Sequence, residues 1–231
     1  MIAPEKPAVA SCEPLKTTLK NFCIAIAFGI AFGYIEAAVV VCLREIFHPE
    51  GFTFPMKVFG AGPRAERILL TEIGREAATI VLIFTGAWLF GRNRRQRVAY
   101  FFTIFAVWDL FYYVWLKVLL DWPASIMDWD ILFLIPVVWA SPVLYPVLIS
   151  ITLLAFAMVL LFRPSNAGAI KVAWLDWLAF CASGVIVVTS FCIAGLHSTE
   201  PDFASYFYRL LFAAGYVLAL AVFVKCLLKS R

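Results

Sequence analysis

"ILFLIPVVWASPVLYPVLISITLLAFAMVLLF", residues 131–162, is an unbroken apolar run of 32 residues. A membrane-crossing helix needs about 20. Pro136, Pro142 and Pro146 all lie in the first half of the run. Proline lacks an amide donor and its ring clashes with the preceding turn, so the start of the run is expected to be kinked, re-entrant or partly unwound. A regular helix of about 16 residues follows it. Irregular backbone persists at membrane depth only where protein covers it or where it lines a cavity. A helix that begins beyond the bilayer, with its prolines in exposed first turns, fits the same residues.

The rest of the chain has the same character. Of 231 residues, 64% are hydrophobic and 15% charged, and the mean hydropathy is +0.92. A water-soluble domain of this length needs far more polar surface, so the chain is an integral membrane protein. Six stretches reach the length of a span: 21–43, 68–91, 98–120, 131–162, 173–196 and 203–224. None alternates strictly as a barrel strand would. The expected fold is all-α and polytopic, a six-transmembrane-helix bundle with a proline-broken fourth span. A segment 1–20 precedes one membrane domain over 21–229. Pro4, Pro7 and Pro14 interrupt that segment and no early apolar core with a cleavage site follows. The first span is therefore expected to act as the targeting signal.

Charge sets the orientation. Lys6, Lys16 and Lys20, then Arg92, Arg94, Arg95 and Arg97, then Arg163 and Lys171, then Lys225, Lys229 and Arg231 fall on one side of the six spans. Glu45, Glu50, Glu66, Asp121, Asp128, Asp130, Glu200 and Asp202 fall on the other. Cytoplasmic loops collect Lys and Arg, so both termini are expected in the cytoplasm and the protein in the inner (plasma) membrane. The same pattern accounts for the net charge of +4 without nucleic acid.

Several charges lie within the spans. At about 1.5 Å per residue, Glu36 and Glu76 sit roughly 12 Å below the outer boundary, on neighbouring helices. Glu72, Arg75 and Glu76 share a helical face, so Arg75 can bridge its own neighbours. Asp109, Tyr113 and Lys117 follow at four-residue steps along the third span, with Tyr112 bordering the stripe. Asp130 stands at the start of the fourth. A charge at mid-bilayer costs roughly 2.5–3.5 kcal/mol. Four unpaired acids would then cancel the roughly 5–15 kcal/mol stability of a typical domain. Glu36, Glu72, Glu76 and Asp109 must be paired, protonated, hydrated or bound to a cation, and Arg75 and Lys117 supply two positive charges against four. A second reading makes Glu72, Arg75 and Glu76 exposed first turns, which leaves only residues 77–91 in the bilayer.

The candidate binding residues are thus Glu36, Glu72, Arg75, Glu76, Asp109, Tyr113, Lys117 and Asp130. His48, His197 and Asp128 are weak metal candidates on the outer side, without the spacing of a known site. No histidine lies within a span to hold a haem, and no phosphate loop or dinucleotide fingerprint is present, so neither haem nor nucleotide is expected. The six cysteines lack C-x-x-C spacing and read as buried thiols. Aromatic residues near the outer interface read as an interfacial belt, or as a pocket lined by Trp108, Trp129, Trp139 and Tyr112.

The leading function is binding or translocation of a cation, proton or cationic small solute. An intramembrane enzyme using carboxylate acid and base chemistry on a lipid or isoprenoid also fits, as does a non-catalytic subunit of a larger membrane complex. The expected partners are membrane lipids, a second copy of the chain or other membrane subunits.

Overall fold

The computed structural model describes residues 12–56, 62–163 and 170–229. Residues 1–11 of the expected N-terminal segment lie outside the described residues, as do 57–61, 164–169 and 230–231. In chain order the elements are α1 Cys12–Phe47, α2 Pro63–Phe90, α3 Arg94–Leu120, β1 Trp129–Phe133, β2 Trp139–Pro142, α4 Leu144–Phe162, α5 Trp174–Leu196 and α6 Arg209–Leu228. A 3-10 turn, Phe203–Tyr206, stands just before α6, which therefore starts later than the expected 203.

Five of these helices, α1, α3, α4, α5 and α6, are long and apolar enough to cross a membrane. The chain is a multi-pass membrane protein. Its exterior suits that setting, because Leu89, Leu210, Val118 and Val185 are 85%, 87%, 67% and 65% exposed. Large apolar side chains bared in this way are solvated by lipid tails and not by water.

The proline-rich start of the fourth apolar run is a short β-hairpin in an otherwise helical chain, so the start of that run is non-helical and its helix begins at Leu144 and not at 131. Asp130 faces Ser141 and Ile131 faces Ala140, and after an irregularity Phe133 faces Trp139. The prolines stand where a missing amide costs little. Pro136 lies in the turn, Pro142 ends β2, and Pro146 is in the first turn of α4, whose amides have no partner within the helix.

The centre of the fold is α3, packed against α1, α2 and α4, while α5 pairs with α6 and β2 leans on α5. Close approach depends on glycine. A Cβ on Gly29 would lie 2.9 Å from Val107, and one on Gly33 would lie 2.9 Å from the Trp108 carbonyl oxygen. This small-xxx-small pair lets α1 lie directly on α3. At Gly195 a Cβ would fall 1.9 Å from the Val138 oxygen, so α5 and the hairpin turn also touch backbone to backbone.

The two ends of the bundle differ. Near the termini, Ala25, Ile83, Ala99, Ile104 and Ala157 form a closed apolar core. Lys225 ties α6 to Asp176 of α5 at 2.6 Å, and the same carboxylate accepts the Ala173 N–H at 3.0 Å. At the hairpin end, Trp129 packs against Phe54, Phe203 and Phe207, and the Met56 N–H donates to the Ser198 carbonyl at 2.7 Å. Between these two layers the packing opens.

Candidate functional site

Gly33 fixes where Glu36 stands. With α1 pressed on α3 at Gly33, the next residue on that face is Glu36, which is 6% exposed. On α2, Glu72, Arg75 and Glu76 share one face, and the Arg75 guanidinium lies between two carboxylates. It pairs with Glu36 of α1 through Nη1 and with Glu72 through Nη2, and its Nε donates to Glu72 at 2.9 Å. The Thr79 hydroxyl donates to the other Glu36 oxygen at 3.3 Å. Three helical positions and one from α1 thus form a single charged unit.

The hairpin is held by two further carboxylates. The Leu134 N–H donates to Glu76 Oε2 at 2.9 Å, which satisfies an amide of the hairpin turn from α2. Asp130, 2% exposed, accepts from Arg44 of α1 at 2.9 Å and from the Tyr112 hydroxyl of α3 at 3.3 Å. The Arg44 guanidinium in turn lies between two aromatic rings, 4.2 Å from the centroid of Phe52 and 3.9 Å from that of Trp122. A planar cation with weak hydration suits such a slot. Asp109, like Glu76, is bonded to no arginine among the described residues. It accepts a hydrogen bond from Ser150 of α4 at 2.7 Å and forms no ion pair among the described residues.

Apart from Thr79 and Trp122, these groups line one cavity of about 540 Å³, bounded by α1, α2, α3, the hairpin, α4 and α5. Its volume falls in the range of about 300–1,000 Å³ that holds small molecules. Most of the wall is apolar, from Val40, Ile80, Ile149, Leu153 and Val187 among others. The polar groups number five carboxylates, Glu36, Glu72, Glu76, Asp109 and Asp130, against two guanidinium groups, Arg44 and Arg75. Protons, hydrogen bonds or a bound cation must balance the excess.

The cavity therefore gathers Glu36, Glu72, Arg75, Glu76, Asp109, Tyr113 and Asp130, seven of the eight binding residues expected from sequence. Lys117 is the exception. It lies half-exposed outside the cavity and pairs with Asp121 at 2.7 Å. Each four-residue step drifts by about 40° around a helix, so two steps carry Lys117 roughly 80° from the direction of Asp109. The second positive charge is Arg44, which lies just beyond the expected first span, 21–43, and is not among the expected binding residues. Exposed first turns do not describe α2 either, since the Glu76 residue is 5% exposed and the Arg75 and Glu72 side chains are 22% and 15% exposed.

The three metal candidates do not converge. His197 bonds Glu200 at 2.7 Å, Asp128 accepts from the Ala124 and Ser125 amides, and the His48 ring packs on Phe52 at the cavity wall. Among the described residues no three His, Cys, Asp or Glu side chains are grouped to hold a metal. The hydrogen bond from His197 instead holds the Glu200 carboxyl below the usual carboxylate range. Of the four aromatic residues weighed as a pocket, Trp108, Trp139 and Tyr112 line the cavity, while Trp129 belongs to the aromatic layer above it. The buried indole N–H groups of Trp108 and Trp139 have no partner among the described residues.

Sequence reasoning missed Ser150 and Thr79 as well as Arg44. A hydroxyl in an apolar helix carries little signal alone, whereas arginine at the mouth of a span with an acid across the loop was a readable one. Comparison with known proteins finds no matching family model, no matching curated protein and no matching solved structure.

Proposed function

We propose that the protein is a six-span inner-membrane protein, with both termini cytoplasmic, whose outer-half cavity binds and translocates a cationic small solute with an apolar body. The observation that carries this reading is the composition of the cavity wall. Five carboxylates face two guanidinium groups in a space that is otherwise apolar. Charge excess of one sign attracts the opposite charge, and low-dielectric walls strengthen that attraction. Bare alkali ions are disfavoured because most of the carboxylate oxygens are already engaged by Arg44, Arg75, Tyr112, Thr79, Ser150 or the Leu134 amide.

Two further features support the membrane part of the reading. The exterior of α2 carries Leu70, Val81, Phe84 and Leu89 in exposed positions, as a sixth crossing requires. Basic loops on the side of the termini set the orientation. Toward the termini, the buried cluster around Ala25, Ala99 and Ile104 holds no charged residue, as a barrier on the cytoplasmic side of the site requires.

The test is uptake into proteoliposomes of radiolabelled tetrapropylammonium, driven by a potassium diffusion potential, beside sodium and magnesium as inorganic controls. Gly184 lines the cavity and a Cβ there meets nothing within 4 Å. Gly184→Phe therefore adds bulk at the cavity wall while every charged side chain is kept. Uptake of the organic cation by the wild type and its loss in Gly184→Phe are expected. Failure of the wild type to bind or take up any cation defeats the proposal.

An intramembrane enzyme acting on lipid is favoured by one observation. Both α2 and α5 line the cavity, yet α2 packs chiefly on α3 and α5 on α6, which leaves the wall between them for lipid to approach. Conversion of lipid in a time course by purified protein, read by mass spectrometry, distinguishes that reading from transport.

A further inference from the structure

We propose that Asp109 is the counter-charge for the bound cation and that the cation is an alkylammonium group held against the aromatic wall around it. This rests on the cation-binding reading above and names the residue and the chemical class.

Among the five cavity carboxylates, four have other duties. Glu36 and Glu72 are occupied by Arg75, Asp130 by Arg44, and Glu76 by the Leu134 amide. Asp109, like Glu76, has a single donor, here the Ser150 hydroxyl on Oδ2, which leaves Oδ1 without a partner among the described residues; of the two, Asp109 is the one flanked by aromatic residues of its own helix. Ser150 is fully buried and fixes the carboxylate from the α4 side. A charge placed at the cavity wall with one oxygen unengaged is a site prepared for a cation.

The surrounding chemistry selects which cation. Phe105, Tyr112 and Tyr113 stand four residues before, three after and four after Asp109, so they flank it on the same face of α3. Trp108 stacks near Phe105 with centroids 5.4 Å apart and near Phe133 at 6.2 Å, and Phe133 meets Trp139 at 5.5 Å. All six rings line the cavity. Aromatic faces bind substituted ammonium ions, whose charge is spread over a bulky apolar surface. Divalent metals need about six oxygen ligands, which Asp109, Ser150 and two phenols do not supply. Guanidinium prefers both oxygens of a carboxylate, and here one is already taken.

The experiment measures binding of radiolabelled tetrapropylammonium to the full chain in lipid nanodiscs. Tripropylphosphine oxide, of similar bulk without net charge, serves as competitor. The wild type should bind the ammonium and the phosphine oxide should compete at least tenfold less well, on the order of a lost cation–π and charge contact. Asp109→Asn should weaken binding about tenfold or more, and Asp109→Glu should restore part of it. Glu200→Gln removes an acid that lies outside the cavity, paired with His197, and should change binding by less than about threefold.

A second measurement does not depend on a variant folding. Treatment of the wild type with dicyclohexylcarbodiimide, followed by peptide mass spectrometry, should modify Asp109, and tetrapropylammonium should protect it. Protection at Glu76 with none at Asp109, or unchanged binding in Asp109→Asn, overturns the assignment while leaving cation binding intact. Equal competition by the phosphine oxide, or no binding of any cation by the wild type, overturns the cation-binding reading itself.

Discussion

Replacing Arg44 by Met removes the charge that Asp130 depends on and keeps most of the apolar stem. The pair is nearly dry, with the two side chains 8% and 2% exposed and the atoms 2.9 Å apart. Without Arg44, the Asp130 carboxylate keeps the Tyr112 hydroxyl at 3.3 Å but no cation. Breaking one side of a buried pair typically costs about 3–5 kcal/mol, because the remaining charge is left uncompensated. The contacts of the guanidinium with Phe52 and Trp122 add to the loss. On the scale of soluble domains of this size, a midpoint falls by roughly 2–4 °C per kcal/mol, so a drop on the order of 6–20 °C is expected in detergent. Removing both charges, as Arg44→Met with Asp130→Asn, should recover about 2 kcal/mol or more relative to the sum of the single changes. The assay is equilibrium unfolding by sodium dodecyl sulfate in mixed micelles for the four members of the cycle. A cost under about 1 kcal/mol for Arg44→Met, the range of an exposed pair, refutes the reasoning, as does an additive double variant.

Other consequences follow from the packing and from the loops. Gly195→Ala should lower stability by about 1–3 kcal/mol because its Cβ meets the Val138 oxygen at 1.9 Å. Gly184→Ala, where a Cβ meets nothing, should be neutral or gain up to about 1 kcal/mol in the same unfolding assay. Lys117→Ala removes a half-exposed pair with Asp121 and should cost less than about 1 kcal/mol, with cation uptake unchanged in proteoliposomes. The Glu200 carboxyl is depressed in the folded state by its bond from His197. Its contribution is therefore present at pH above the ordinary carboxylate value and is lost as pH falls through the depressed one. Glu200→Gln should flatten that acid limb in thermal midpoints measured against pH, and an unchanged slope contradicts the contact.

The sequence made the membrane setting and most helices legible because hydropathy over about 20 residues is a summed signal that no single side chain can disguise. The prolines at 136, 142 and 146 marked non-helical backbone, but their spacing did not say hairpin. That form depends on partners far away in sequence, such as the Glu76 carboxylate on the Leu134 amide and Arg44 on Asp130. The expected stripe of Asp109, Tyr113 and Lys117 failed at its end for a geometric reason, the drift of four-residue steps. Gly29 and Gly33, four residues apart, were a readable sign of close helix approach that was passed over, and they place Glu36. Charges inside spans were the strongest clue to the site, since the cost of burying them leaves few places for them to go. Which of the acids form no ion pair among the described residues was not legible, because Ser150, Thr79 and Leu134 reach them from three different elements.

The account stands or falls on whether a cation with an apolar body occupies the space between Glu36, Glu76 and Asp109. An X-ray structure of the protein with tetrapropylarsonium, recorded at the arsenic absorption edge, locates such a cation directly by its anomalous signal. One peak inside the cavity, lost in Gly184→Phe, is the predicted result. Peaks confined to the lipid-facing or aqueous surface, or none at a saturating concentration, contradict it.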